Sequence, residues 1–182
     1  MYTIDVSILN FIQDHMRSSL ADAAMQIFSA LGDKGMIWIA VALILIAIPK
    51  TRKAGIAVAV ALVIEVICCN LILKPFVGRL RPCVVDPTVD LLITRPNDFS
   101  FPSGHTGASF AATAALFAQK NRLWIPSLII SILIGFSRLY LYVHYPSDVI
   151  AGAFLGSMLG LLASALLDHI YHKKEGRVVY GN

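Results

Sequence analysis

SRLYLYVHYPSD, residues 137–148, places Arg138, His144 and Asp148 between two apolar runs, residues 123–143 and 149–167. Charged groups beside segments long enough to enter lipid carry a large desolvation cost, so they ask for a functional reading. The runs themselves settle the class of fold. Of the 182 residues, 57% are hydrophobic and only 14% charged, well off the balance of a soluble globular domain. The chain reads as an all-α integral membrane bundle.

Outward from that stretch, residues 149–167 give a last span, 123–143 a full-length one and 104–118 a shorter one rich in small residues. Residues 54–73 are apolar apart from Glu65 and Asn70, and meet the roughly 20 residues that a crossing helix needs. Residues 36–48 fall short of that length, so this span either begins before the break at Gly32-Asp33-Lys34-Gly35 or lies in a thinned region. Residues 4–31 set Ile8, Phe11, Ile12 and Met16 on one side, with Asn10, Asp14 and Arg17 elsewhere, the pattern of a helix lying at the membrane surface. Asp5 and Asp14 interrupt this region, so it does not read as a cleaved secretory signal and is expected to remain. The expectation is a bundle of five to six transmembrane helices with an N-terminal interfacial amphipathic helix. It forms a single domain over residues 1–182, with 1–34 interfacial and 54–171 the core.

The net charge of +4 does not point to nucleic acid, because the basic residues fall in short clusters at the ends of apolar runs rather than on one long face. Lys50, Arg52, Lys53, Lys120, Arg122, Lys173, Lys174 and Arg177 gather on the side of the two basic turns and the tail. By the positive-inside rule that side, with the C-terminus, is cytoplasmic. Parity of the spans then puts the polar loop 74–103 and the 137–148 stretch together on the outer side. Cys68, Cys69 and Cys83 show neither metal spacing nor an even disulfide framework, and read as packing residues.

That outer side collects Lys74, Arg81 and Arg138 as cations, His105 and His144 as imidazoles and Asp148 as a carboxylate, with Ser103 and Gly104 at a helix start. Three fixed cations with free backbone N–H groups suit the oxygens of a phosphoryl group. The same cations repel a metal ion, and the single carboxylate is too few for one, so no metal and no cofactor is expected.

In order along the chain, Lys74-x6-Arg81-Pro82, Pro102-Ser103-Gly104-His105 and Ser137-Arg138-x5-His144-x3-Asp148 resemble the three-part signature of the type 2 phosphatidic acid phosphatase superfamily, which includes vanadium haloperoxidases and bacterial acid phosphatases. The motifs cover residues 74–148, and the region before residue 54 adds little. The resemblance implies that His144 attacks phosphorus and becomes a phosphohistidine. Asp148 would hold its tautomer and stabilise the imidazolium. His105 would protonate the leaving oxygen and later take a proton from water. Lys74, Arg81, Arg138, Ser103 and the Gly104 N–H would hold the equatorial oxygens.

The implied activity is a lipid phosphatase, with undecaprenyl diphosphate favoured and phosphatidylglycerophosphate or phosphatidic acid as alternatives. A lipid transporter or flippase would use the same cations without chemistry. Arg138 and His144 are six apart, about 120° out of alignment on a helix, which predicts a break near Tyr142. Tyr140, Tyr142 and Tyr145 read as membrane-interface aromatics, and Glu65 as a paired structural carboxylate or a proton-handling group. Arg79 and Arg95 either add to the anion site or solvate the loop. Gly152, Gly156 and Gly160 allow close packing within the chain, favoured because the stripe continues the line of Asp148, or a homodimer.

Overall fold

In a computed structural model, the backbone is described for residues 2–179 and side chains for residues 3–173. The chain is helical, with no strand among these residues. The helices are α1 (Tyr2–His15), α2 (Ser19–Gly32), α3 (Met36–Ala47), α4 (Arg52–Glu65), which a π-helical stretch (Val66–Leu73) continues into the single turn α5 (Lys74–Val77), then the single turn α6 (Pro82–Val85), α7 (Gly104–Ala118), α8 (Trp124–Tyr140) and α9 (Pro146–Val179). Ser18 caps α2 by accepting from the Ala21 N–H. A tight turn at Asp33–Gly35, with Lys34 and Gly35 at positive φ, joins α2 to α3 without ending the apolar run.

Among the described residues three helical stretches are long and apolar enough to cross a membrane: Ser19–Ala47, Arg52–Val85 and Pro146–Lys173; Trp124–Tyr140 is apolar but shorter. Of the two readings of residues 36–48, the one in which the run begins before the break therefore matches the structure. Large apolar side chains stay exposed on the outside of these helices, among them Leu43, Leu71, Ile150 and Phe154. Such an apolar exterior suits lipid rather than water.

At the centre lies α7, whose sequence GHTGASFAATAALFA offers mostly small side chains. At about 1.5 Å per residue its 15 residues reach some 22 Å, and α4, α8 and α9 surround it. Small residues let backbones approach closely. A Cβ on Gly156 would fall 2.2 Å from the Gly107 carbonyl oxygen, and one on Gly160 2.3 Å from that of Ala111. The glycine stripe of α9 is thus used inside the chain, and a second copy would have to use another face.

Two apolar clusters result. One joins α3, α4, α7, α8 and α9 through Trp38, Val58, Leu116, Ile134 and Ala163. The other packs Leu9 and Ile12 of α1 against Tyr140, Leu141, Tyr142, Val143 and Tyr145. This corrects the reading of the three tyrosines as interface aromatics, since all are at least 96% buried beneath α1. The face of α1 turned to the bundle carries Asp5, Leu9 and Ile12, so Ile12 leaves the apolar side that it was expected to share with Ile8, Phe11 and Met16, which are exposed.

Candidate active site

The three motif stretches converge at the end of the bundle that α1 covers. The break predicted near Tyr142 is present: α8 ends at Tyr140, and Tyr142 has φ of 58°. This left-handed residue turns the chain back so that the N–H groups of Val143 and His144 both donate to the Arg138 carbonyl, at 3.2 and 3.3 Å. Helix α9 then starts on Pro146, which supplies a helix-ready φ where no N–H partner is needed. Asp148 accepts from the Tyr145 N–H at 2.9 Å, so its carboxylate caps the helix that carries it. Six residues of separation in sequence become a short turn in space.

His144 is 1% exposed and Asp148 fully buried. The Asp148 Oδ2 lies 3.6 Å from His144 Nδ1, and the Ser100 hydroxyl is 3.5 Å from the same nitrogen while donating to Asp148 Oδ2 at 2.5 Å. With Nδ1 turned to these groups, Nε2 is the ring atom left for chemistry. It contacts the Arg81 guanidinium at 2.8 Å. Burial first, then the charges of Arg81, Arg138 and Lys74, hold the His144 imidazole well below its ordinary pKa, so it is neutral and its Nε2 lone pair accepts from the Arg81 guanidinium.

The clamp residues meet a carboxylate that the sequence did not single out. Asp98 pairs with Lys74 Nζ and, at 2.6 Å, with Arg81, and its backbone carbonyl accepts from Arg81 Nε at 2.9 Å. Burial alone would raise the Asp98 carboxyl, but the Lys74 hydrogen bond and the Arg81 charge outweigh it and lower it to about 2. Lys74 and Arg81 come together although Gly78, at φ of 62°, ends the short helix between them. Arg138 donates to the Ser29 hydroxyl, and its Nε is buried without a partner among the described residues.

Lys74, Arg81, His105 and Arg138 line one polar cavity of about 650 Å³, together with Asp33 and Asp98. His105 Nε2 contacts Asp33 Oδ1 at 2.8 Å. The Ser103 hydroxyl pairs with Thr106 and its N–H donates to the Asp148 carbonyl, which ties the start of α7 to α9. Gly104 borders a second space, an apolar groove of about 690 Å³ between α3 and α4 that ends at Lys74, Asp98 and His105. Glu65 borders the same groove, fully buried, with Cys69 one turn on as the side chain its carboxylate faces. Arg95 lines the polar cavity from the loop.

Sequence reasoning missed Asp98, Ser100, Asp33, Asp5 and the part played by Arg79. Arg79 donates to Asp148 Oδ1 at 2.6 Å, to the Ser147 hydroxyl at 2.7 Å and to Asp5 Oδ2 at 2.8 Å. One signal was legible: Asp5 shares a helical face with Leu9 and Ile12, and an acid on a buried stripe needs a partner.

The model of the PAP2 superfamily matches residues 52–170. An undecaprenyl-diphosphatase of Sulfolobus acidocaldarius is 36% identical over 141 residues, covering 76% of this chain and 68% of the relative. The undecaprenyl-diphosphatase BcrC of Bacillus subtilis is 35% identical over 133 residues, covering 68% of this chain and 66% of the relative. Among solved structures, Aquifex aeolicus LpxE superposes with a TM-score of 0.74 at 28% identity, over 87% of this chain and 93% of that one.

Proposed function

The chain belongs to the PAP2 superfamily, and from that premise we propose that it is a membrane lipid phosphatase that cleaves a lipid diphosphate through a phosphohistidine on His144. The observation that carries this reading is the convergence of Lys74, Arg81, Arg138 and His105 on one polar cavity, with His144 Nε2 on Arg81 and an apolar groove opening beside it.

In the first step His144 Nε2 bonds to phosphorus as the bond to the leaving oxygen breaks. His105 gives that oxygen a proton, while Asp148 stabilises the cation forming on the ring. Lys74, Arg81 and Arg138 take the equatorial oxygens, where charge collects in the transition state. In the second step His105 accepts a proton from water, the water oxygen bonds to phosphorus, and the P–N bond breaks to free inorganic phosphate and neutral His144. Substrate phosphate has to displace the Asp98 carboxylate from Lys74 and Arg81, and in doing so frees Nε2 from its Arg81 contact. The Gly104 N–H remains in the scheme as a donor at the start of α7, and Ser103 acts by holding that start against α9.

The lipid tail enters the groove between α3 and α4 and continues into the bilayer, with α1 resting its exposed Ile4, Ile8 and Phe11 on the membrane surface. Five spans with the site on the outer side and the C-terminus inside satisfy the charge distribution. Relatives named for undecaprenyl diphosphate favour that substrate over phosphatidylglycerophosphate or phosphatidic acid. The test is phosphate release from these three lipids, in chelator, by wild type and His144→Ala. Undecaprenyl diphosphate should turn over fastest without added metal, and His144→Ala should not turn over. Activity that needs Mg²⁺, or that survives the substitution, rejects the mechanism; lipid movement without phosphate release would favour a transporter.

A further inference from the structure

Arg79 and Asp5 lie outside the residues just assigned to the reaction, yet they complete the surroundings of its carboxylate. Gly78 at positive φ sends the chain out of helix, and Arg79 and Arg81 then bracket the His144–Asp148 pair from opposite ends. Arg79 holds Asp148 Oδ1, and its own carbonyl accepts from the Ser100 N–H at 2.8 Å, placing the hydroxyl that holds Oδ2. Its guanidinium lies 3.9 Å over the Tyr145 ring. Asp5, 4% exposed on α1, takes the other side of the fork and also accepts from the Ser147 N–H at 3.0 Å and the Ser147 hydroxyl at 2.6 Å.

The charges explain why two acids flank one arginine. A lone arginine on Asp148 would cancel the negative charge that has to stabilise the imidazolium. A second buried acid returns the set to a net charge of −1 while keeping the hydrogen bonds that fix Asp148. We propose that Arg79 and Asp5 are positioning residues for the hydrolytic reaction: Arg79 orients Asp148 toward His144, and Asp5 offsets the Arg79 charge, making α1 part of the catalytic apparatus. This rests on the phosphohistidine reading above.

The experiment measures kcat, KM and inhibition by inorganic phosphate for Arg79→Ala, Arg79→Lys, Asp5→Asn, Asp148→Asn and the double variant Arg79→Ala/Asp148→Asn, with His144→Ala as reference. Arg79→Ala should lower kcat about 10- to 100-fold and the isosteric Asp5→Asn about 3- to 10-fold, with KM and phosphate inhibition within about twofold of wild type. Arg79→Lys should fall between Arg79→Ala and wild type, since lysine keeps the charge and loses the fork. In the Asp148→Asn background Arg79→Ala should cost less than about threefold, because the group it orients is already gone. Three results overturn the proposal: kcat within twofold of wild type, an undiminished loss in the Asp148→Asn background, or weakened phosphate inhibition at unchanged kcat, which would make Arg79 a phosphate contact. If Arg79→Ala fails to fold, Asp5→Asn decides by the same criteria. Turnover by His144→Ala would instead reject the underlying mechanism, independently of Arg79.

Discussion

The two halves of the site are built differently. His144 and Asp148 are almost wholly buried and are held by the turn at Tyr142, the cap of α9, the glycine seam of α9 on α7 and the Arg79 and Ser100 hydrogen bonds to the carboxylate. Lys74 and Arg81 are buried as well, but their shared partner Asp98 is a loop residue with 53% of its side chain exposed. On the proposed mechanism the half that attacks is preorganised, whereas the half that would hold phosphate is closed by a half-exposed loop carboxylate. A reaction that must admit and release an anion needs this asymmetry: the attacking atom is fixed and the counter-ion is exchangeable.

The contrast can be broken from either side. The largest effect expected is from His144→Ala, which should bring phosphate release down to background, at least about 10³-fold, while phosphate still binds the clamp. Next, Asp148→Asn should lower kcat about 10²- to 10³-fold with a small change in KM, in steady-state assays, because it removes the charge that meets the imidazolium. Gly156→Leu tests whether the nucleophile half depends on the seam. Its Cβ would meet the Gly107 backbone at 2.2 Å, which no side-chain rotation relieves, so it should cost about 3 kcal/mol or more, read as a lowered Tm in detergent. If Gly156→Leu leaves Tm and kcat unchanged, the seam does not hold that half in place.

Asp98→Asn should act in the opposite direction and more weakly. Removing the resident charge should strengthen inhibition by inorganic phosphate about two- to fivefold, since a half-exposed ion pair contributes at most about 1 kcal/mol. Weaker phosphate binding would instead mean that Asp98 orders the clamp rather than occupying it. The smallest effect concerns pH. With the His144 imidazole held well below 6.5, acid should not protonate Nε2 until the pH is below that value. The acid limb of kcat/KM should therefore lie under pH 6.5. The stability contribution has the same sign: it is complete above 6.5 and falls as pH drops, because the unfolded histidine takes up its proton first. For Asp98, ionised down to about 2, the contribution is present above the ordinary carboxylate range and lost only as pH falls through about 2.

The sequence by itself determined the helical membrane class, the three motif stretches and the break before His144. Those features are written in local runs, in spacing and in the cost of charge beside lipid. It also determined that Lys74, Arg81, His105, Arg138, His144 and Asp148 were the residues to watch, since each stands at the edge of an apolar run. Only the tertiary structure decided their partners. Asp98 on the clamp, Ser100 and Arg79 on Asp148, Asp33 at His105 and Asp5 reaching from α1 are pairings across 24 to 74 positions of chain, and no local pattern specifies which acid meets which base. The three tyrosines show the same limit from the apolar side. Their composition fits a membrane interface, and their burial depends on α1 folding over them, a long-range contact settled by shape and by the hydrogen bonds that each buried polar group has to find.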